Sequence, residues 1–192
     1  MQQLAIKSFT PHRFPISVKI FHVMAAEGVF APTDRVELID GEIFNMSPIG
    51  TLHARCVNWL SRVLGEFVGR DFIVSIQNPI VLDDASEPQP DISILRYRDD
   101  FYKNETPWPR DVLMIFEVAD TSVEFDRNIK LPRYAAAGIP ETWLIDLVSE
   151  RVEVHSEPKE NTDGTVKIFQ RGENAASHMI ANIDLSLDEI LG

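Results

Sequence analysis

The stretch from Asp111 to Ala119, reading DVLMIFEVA, constrains the fold of this chain more than any other. As a strand it sends Val112, Met114, Phe116 and Val118 to one side and Leu113, Ile115, Glu117 and Ala119 to the other, so both faces are apolar. A strand of that kind belongs in the middle of a sheet that is covered on both sides. Its one anomaly is Glu117, because an ionised carboxylate near the end of a doubly buried strand is costly unless something compensates it. A salt bridge to an arginine would do so, and so would a metal ion.

The rest of the pattern supplies layers for such a sheet. Ser17 to Glu27 reads as a short helix, capped by Ser17 and stopped by Gly28, and Arg35 to Met46 reads as a hairpin turning at Asp40-Gly41. From Thr51 to Val68, Leu52, Cys56, Trp59, Leu60, Val63, Leu64 and Phe67 recur at helical spacing, and Gly69 stands where a cap belongs. Phe72 to Gln77, Pro79 to Leu82 and Asp91 to Leu95 read as strands, followed by a polar, proline-containing loop from Arg96 to Arg110. A helix from about Asp126 to Ala137 stops at Gly138, and Glu141 to Leu147 is another buried strand. Arg151 to His155 and Val166 to Gln170 look like later antiparallel strands on either side of the polar loop Glu157 to Gly164. With 192 residues, 44% of them hydrophobic and 25% charged, and no repeat or linker, the chain is expected to form a single α/β domain over residues 1–192.

A net charge of -12 argues against a protein that coats nucleic acid non-specifically, since phosphate binding needs a basic surface; a bound divalent cation would cancel part of the local repulsion. The lone Cys56 can form neither an internal disulfide nor a thiolate cluster, which favours a reducing cytoplasm. Met1 to Phe14 lacks the apolar core of a signal peptide and no apolar run approaches membrane-spanning length, so a cytoplasmic protein is expected, neither exported nor inserted in a membrane.

Asp91 follows Pro90 at the start of a strand and would lie beside Glu117 if the two strands are neighbours; alone it would be a turn residue or a cap. Two carboxylates suffice for a hard cation such as magnesium, which leaves its other positions to water and substrate phosphate. Lys130, one turn into the helix after Glu117, would be able to reach back and hold an attacking water or a phosphoryl oxygen. Arg127 and Arg133, three residues to either side, read as a solvated helix face. Glu37, set among Val36, Leu38 and Ile39, is either a further metal or water ligand or half of a cross-strand ion pair. His53 is either an acid or base or, more simply, a capping or packing residue, and Asp146 reads as structural, orienting a basic neighbour. The chain has no glycine-rich phosphate loop, no Gly-x-Ser-x-Gly elbow and no His-Glu-x-x-His helix.

Taken in order, Val36-Glu37-Leu38-Ile39-Asp40-Gly41-Glu42, His53, Pro90-Asp91, Glu117-Val118, Asp126, Lys130 and Tyr134-Ala135-Ala136-Ala137-Gly138-Ile139-Pro140-Glu141 resemble the Uma-two-type family, domain of unknown function 820. The resemblance runs from about Pro11 to Gly192. It implies a restriction-endonuclease-like core of the PD-(D/E)xK superfamily, with a central mixed β-sheet flanked by helices and extra antiparallel strands. It further implies a divalent-metal-dependent nuclease, with Asp91 and Glu117 as ligands of Mg2+ or Mn2+ and Glu37 as an accessory acid. The superfamily motif ends in lysine where this chain has Ala119, and Lys130 looks like its migrated replacement. The implied partner is nucleic acid, expected to be DNA, and the implied assembly a homodimer. A catalytically silent binding or regulatory module on the same fold is the alternative.

Overall fold

The computed structural model of the chain describes residues 14–158 and 164–192. Nearly all of the amino-terminal stretch Met1 to Phe14, and most of the loop Glu157 to Gly164, lie outside the described residues. In chain order come α1 (Val18–Ala26), β1 (Val36–Ile39), β2 (Glu42–Asn45), α2 (Thr51–Val68), β3 (Phe72–Ile76), β4 (Ile92–Arg96) and β5 (Val112–Ala119). There follow α3 (Val123–Phe125), a π-helical turn (Asp126–Lys130), α4 (Leu131–Ala136), β6 (Glu141–Asp146), β7 (Arg151–Ser156), β8 (Thr165–Gln170), β9 (Asn174–Ala176), β10 (Asp184–Ser186) and α5 (Leu187–Leu191).

β5, the strand with two apolar faces, is buried at all eight positions. It lies inside a six-stranded mixed sheet of order β3-β4-β5-β6-β7-β8. Only β5 and β6 pair in parallel; the neighbours on either side are antiparallel. A parallel pair cannot be closed by a tight turn, and the helical segment from α3 to α4 makes the crossover. That crossover lays Leu131 and Tyr134 in one apolar cluster with Ile115, Ala119 and Leu144. On the opposite face, Cys56, Leu60 and Leu64 of α2 and Leu187 and Ile190 of α5 cluster with Met114, Phe116, Val118 and Trp143. The result is a central mixed sheet flanked by helices, with the short pairs β1-β2 and β9-β10 standing outside it. Among the described residues no helix is long and apolar enough to cross a membrane.

The β1-β2 hairpin turns at Asp40-Gly41, whose φ angles of 52° and 74° are both left-handed, as the tight hairpin turn requires. At Gly41 a Cβ would also lie 2.6 Å from Cβ of Pro15, so two constraints require glycine there.

The structure departs from the sequence expectations at several points. The register between β4 and β5 shifts at Ile94/Leu95, where Met114 and then Val112 are the partners, so Leu113 is an extra residue. This bulge places Val112 with Ile115 and Ala119, and Leu113 with Met114, reversing the alternation at the strand's start. Pro79 to Leu82 is not a strand of the sheet but a buried extended arm, bonded through Ile80 N–H to the Pro88 carbonyl and Leu82 N–H to the Ser86 carbonyl. Pro79 in the arm, and Pro88 and Pro90 in the segment beside it, lack the N–H donors that a ladder would need. The crossover helix starts at Val123, and the C-terminal β9, β10 and α5 were too short to carry a periodic signal.

Arg127, read as solvent-facing, instead ties the π-helical turn to the sheet: its Nη2 lies 2.9 Å from Oε1 of Glu153 and 3.3 Å from Oδ2 of Asp146. Arg151 reaches the same two carboxylates at 3.0 and 3.4 Å. Arg133 stays on the surface and pairs with Asp40. Burial works against the charges of Asp146 and Glu153, but the Ser149 N–H and the arginines at Asp146, and Arg127, His155 and Arg151 at Glu153, outweigh it and hold both pKa values down. A depressed carboxylate stabilises the fold above its ordinary pKa, 3.8 for Asp146 and 4.5 for Glu153, and that contribution is lost as pH falls through the lower folded value. Urea midpoints followed from pH 6 to pH 3 (about the range of ordinary carboxylate titration) should therefore fall more steeply for the wild type than for Asp146→Asn/Glu153→Gln. Parallel curves would show that the network contributes nothing.

Candidate functional site

Asp91 and Glu117 are brought together by strand pairing. β4 and β5 run antiparallel with Ile92 opposite Phe116, which puts Asp91, immediately before β4, across from Glu117 near the end of β5. Asp91 is held by three donors: Val118 N–H at 2.9 Å and His53 Nε2 at 3.0 Å, both on Oδ2, and Gln77 Nε2 at 3.2 Å on Oδ1. Gln77 has a φ of 50°, a left-handed conformation that ends β3 and turns its amide onto Asp91. Burial works against the charge of Asp91, but His53, Val118 N–H and Lys130 together outweigh it, and its pKa is lowered.

Glu117, 2% exposed, receives its compensation from the crossover helix. Nζ of Lys130 lies 2.8 Å from Oε1 of Glu117, and the Tyr134 hydroxyl donates to the same oxygen at 2.6 Å. The compensating cation is thus a lysine with a tyrosine beside it, not the arginine that the strand alone suggested. Lys130 also lies 3.3 Å from Oε2 of Glu37, whose carboxylate accepts the Gln89 N–H at 3.0 Å. Glu37 therefore pairs across elements, not across its own hairpin. Burial raises the pKa of Glu117 to about 8 against the opposing charge of Lys130. Burial pulls Lys130 the other way, but Glu117, Glu37 and Asp126 outweigh it and keep the ammonium protonated well above its ordinary range.

The π-helical turn sets this geometry. Leu131 N–H bonds the Asp126 carbonyl five residues back, which widens the turn just before Pro132, a residue with no N–H to give. Asp126 and Lys130 are both buried on this turn, and Asp126 accepts the Ser122 hydroxyl at 2.6 Å. Burial raises the pKa of Asp126 against the charge of Lys130 and the Ser122 hydrogen bond. Asp126 and Tyr134 stand among the family motifs, but the sequence assigned neither of them a role. The signal for them is the spacing 126, 130, 134, which puts an acid, a lysine and a tyrosine on one helical stripe. Glu37, His53, Asp91, Glu117, Asp126 and Lys130 all open onto one cavity of about 320 Å³. His53 thus serves as a donor to Asp91, while Asp146 lies in the Arg127 network away from this cavity.

The profile of the Uma2 family, described as "Putative restriction endonuclease", matches residues 20–188. The chain belongs to the Uma2 family. In fold the Uma2 chain is similar to the crystal structure of a "putative nuclease belonging to DUF820" from Anabaena variabilis ATCC 29413, with a TM-score of 0.70. That likeness covers 92% of this chain and 98% of the other at 16% identity, and at such a distance it speaks for the fold alone. No curated protein matches the Uma2 chain. Among its described residues no three His, Cys, Asp or Glu side chains gather closely enough to form a metal cage of their own.

Removing Lys130 leaves Glu117, Glu37 and Asp126 buried without their cation. Lys130→Met should cost about 3–5 kcal/mol in urea unfolding at pH 9. A carboxyl with a raised pKa destabilises the fold as pH climbs towards that value, so the loss should shrink at pH 6 (below the value of about 8). A further Glu117→Gln change should recover part of it. A loss independent of pH would show that packing, not charge, is what Lys130 contributes.

Proposed function

We propose that this Uma2 protein hydrolyses phosphodiester bonds in nucleic acid, expected to be DNA, using a divalent cation, Mg2+ or Mn2+, bound by Asp91 and Glu117. The observation that carries the reading is the meeting of two carboxylates from adjacent strands with a lysine ammonium at one cavity. The donor set fits the ion. Magnesium takes hard oxygen ligands and is commonly held by one or two carboxylates, whereas a structural zinc site closes itself with four protein ligands. Both bonds to Glu117 are made to Oε1, and Asp91 is already oriented by its three donors, which supports the reading. When bound, such a cation supplies Lewis-acid activation of water and of the phosphoryl group.

The protein's own groups then have separable tasks. His53, Gln77 and the Val118 amide fix the direction of Asp91. Lys130, which keeps its proton, bears on the attacking water or on the charge that develops on the phosphoryl oxygens. Glu37 tethers that ammonium and acts as the accessory acid. Ala119 stands where the superfamily motif has lysine, and Lys130 delivers the ammonium from the crossover helix.

Melting temperature and cleavage, measured on the same variants, distinguish these roles. Mg2+ or Mn2+ should raise the wild-type melting temperature, since a ligand that binds only the folded state stabilises it by mass action. Asp91→Asn and Glu117→Gln should lose both that shift and cleavage. Lys130→Gln should keep the shift and lose cleavage by about 100-fold or more, the usual scale for one charge-stabilising donor. Cleavage by Lys130→Gln at the wild-type rate would end its assignment. A metal shift without cleavage of any DNA or RNA would favour the silent module.

A further inference from the structure

Part of the cavity lining is aromatic and apolar. Phe44, Met46, Pro48, Ile49 and Phe125 line it, and the rings of Phe44 and Phe125 lie 5.0 Å apart at 54°. Each ring is joined directly to an acid of the site. Phe44 is the cross-strand partner of Glu37, so the two side chains share a face of the hairpin, and Phe125 precedes Asp126. Neither ring is fully buried, and both line the cavity.

Three further facts bear on what enters. The charged groups of the site are deep, with Asp91 7%, Glu117 2% and Lys130 3% exposed, so a scissile phosphate must come into the cavity and cannot be reached from a flat surface. At about 320 Å³ the space is at the small end for ligand pockets, roughly 300–1,000 Å³, which suits one nucleotide and not a duplex. Among the charged lining residues acids outnumber bases, Glu37, Asp91, Glu117, Asp120 and Asp126 against Arg35 and Lys130, and the whole chain carries -12. A basic track along a duplex backbone, which would otherwise supply affinity, is not what this cavity offers.

Resting on the nuclease reading above, we infer that the substrate is an unpaired strand, with the base next to the scissile phosphate stacked on the Phe44/Phe125 wall. Every base has a π-face, so such a wall gives affinity without sequence choice and without reading the sugar. A paired nucleotide would first have to be unstacked and extruded, which penalises the duplex.

The test is fluorescence anisotropy with the full chain in calcium, using one labelled sequence as single-stranded DNA, single-stranded RNA and blunt DNA duplex. Cleavage of the same three in Mg2+ or Mn2+ is measured separately. Either single strand should bind about tenfold more tightly than the duplex, and Phe44→Leu should remove about tenfold of that affinity while Phe44→Trp keeps it. Phe125→Leu is the companion variant should Phe44→Leu melt below the assay temperature. A duplex bound as tightly as the strands, no measurable binding of either strand, or leucine variants with wild-type affinity would overturn the inference, even where cleavage shows a nuclease. Strand-selective, phenylalanine-dependent binding without cleavage would uphold it and count against the nuclease reading alone.

Discussion

The contact between Lys130 and Glu117 is the interaction on which the rest of this structure depends. A carboxylate inside a strand buried on both faces is tolerated only with a partner, and the partner must come from an element packed on the sheet. Lys130 meets this demand from the crossover helix and then reaches Glu37 in the β1-β2 hairpin, so one ammonium joins three elements. The hairpin forms no part of the six-stranded sheet. Its attachment includes this ammonium, the Glu37 bond to Gln89 N–H, and the backbone exchange between Leu38 and Glu87.

Such a cluster is expensive. Glu37, Asp91, Glu117 and Asp126 are all buried in a chain that is already strongly acidic. A protein selected for stability alone would do better with apolar side chains of similar volume there, because burying an ion pair often fails to recover its desolvation cost. The π-helical turn adds a second departure from regular structure at the same place, and such turns recur at functional sites. Both departures fall at one cavity, because Asp126 and Lys130 lie on the π-helical turn and line it.

Much of this was legible in the chain itself. The two-faced apolar pattern of Val112 to Ala119 put that strand in the sheet's interior, and Asp40-Gly41 specified the hairpin, because local periodicity and turn chemistry depend on neighbouring residues only. The bulge at Leu113 was not legible, since it depends on register against β4, and neither was the buried arm at Pro79 to Leu82. Pro132 within the helical pattern was a sign that the crossover helix would not be regular. The ordered family motifs marked Asp91, Glu117, Lys130 and Glu37, yet no spacing in the chain shows which charge faces which.

By itself, then, the sequence determined most of the longer elements, the buried strand, the family and the identity of an acid that needed a partner. These follow from side-chain period, backbone propensity and the cost of burying charge, all of which act along the chain. The tertiary structure alone decided that the partner is Lys130 with Tyr134, that His53 and Gln77 hold Asp91, and that Arg127 serves a separate network. It also decided that Phe44 and Phe125 share a cavity with the acids. Those pairings join residues that are not near neighbours in the chain, and their energies exist only once strand register and helix packing bring the groups within a few ångströms, where a low local dielectric makes charge and hydrogen bonding strong.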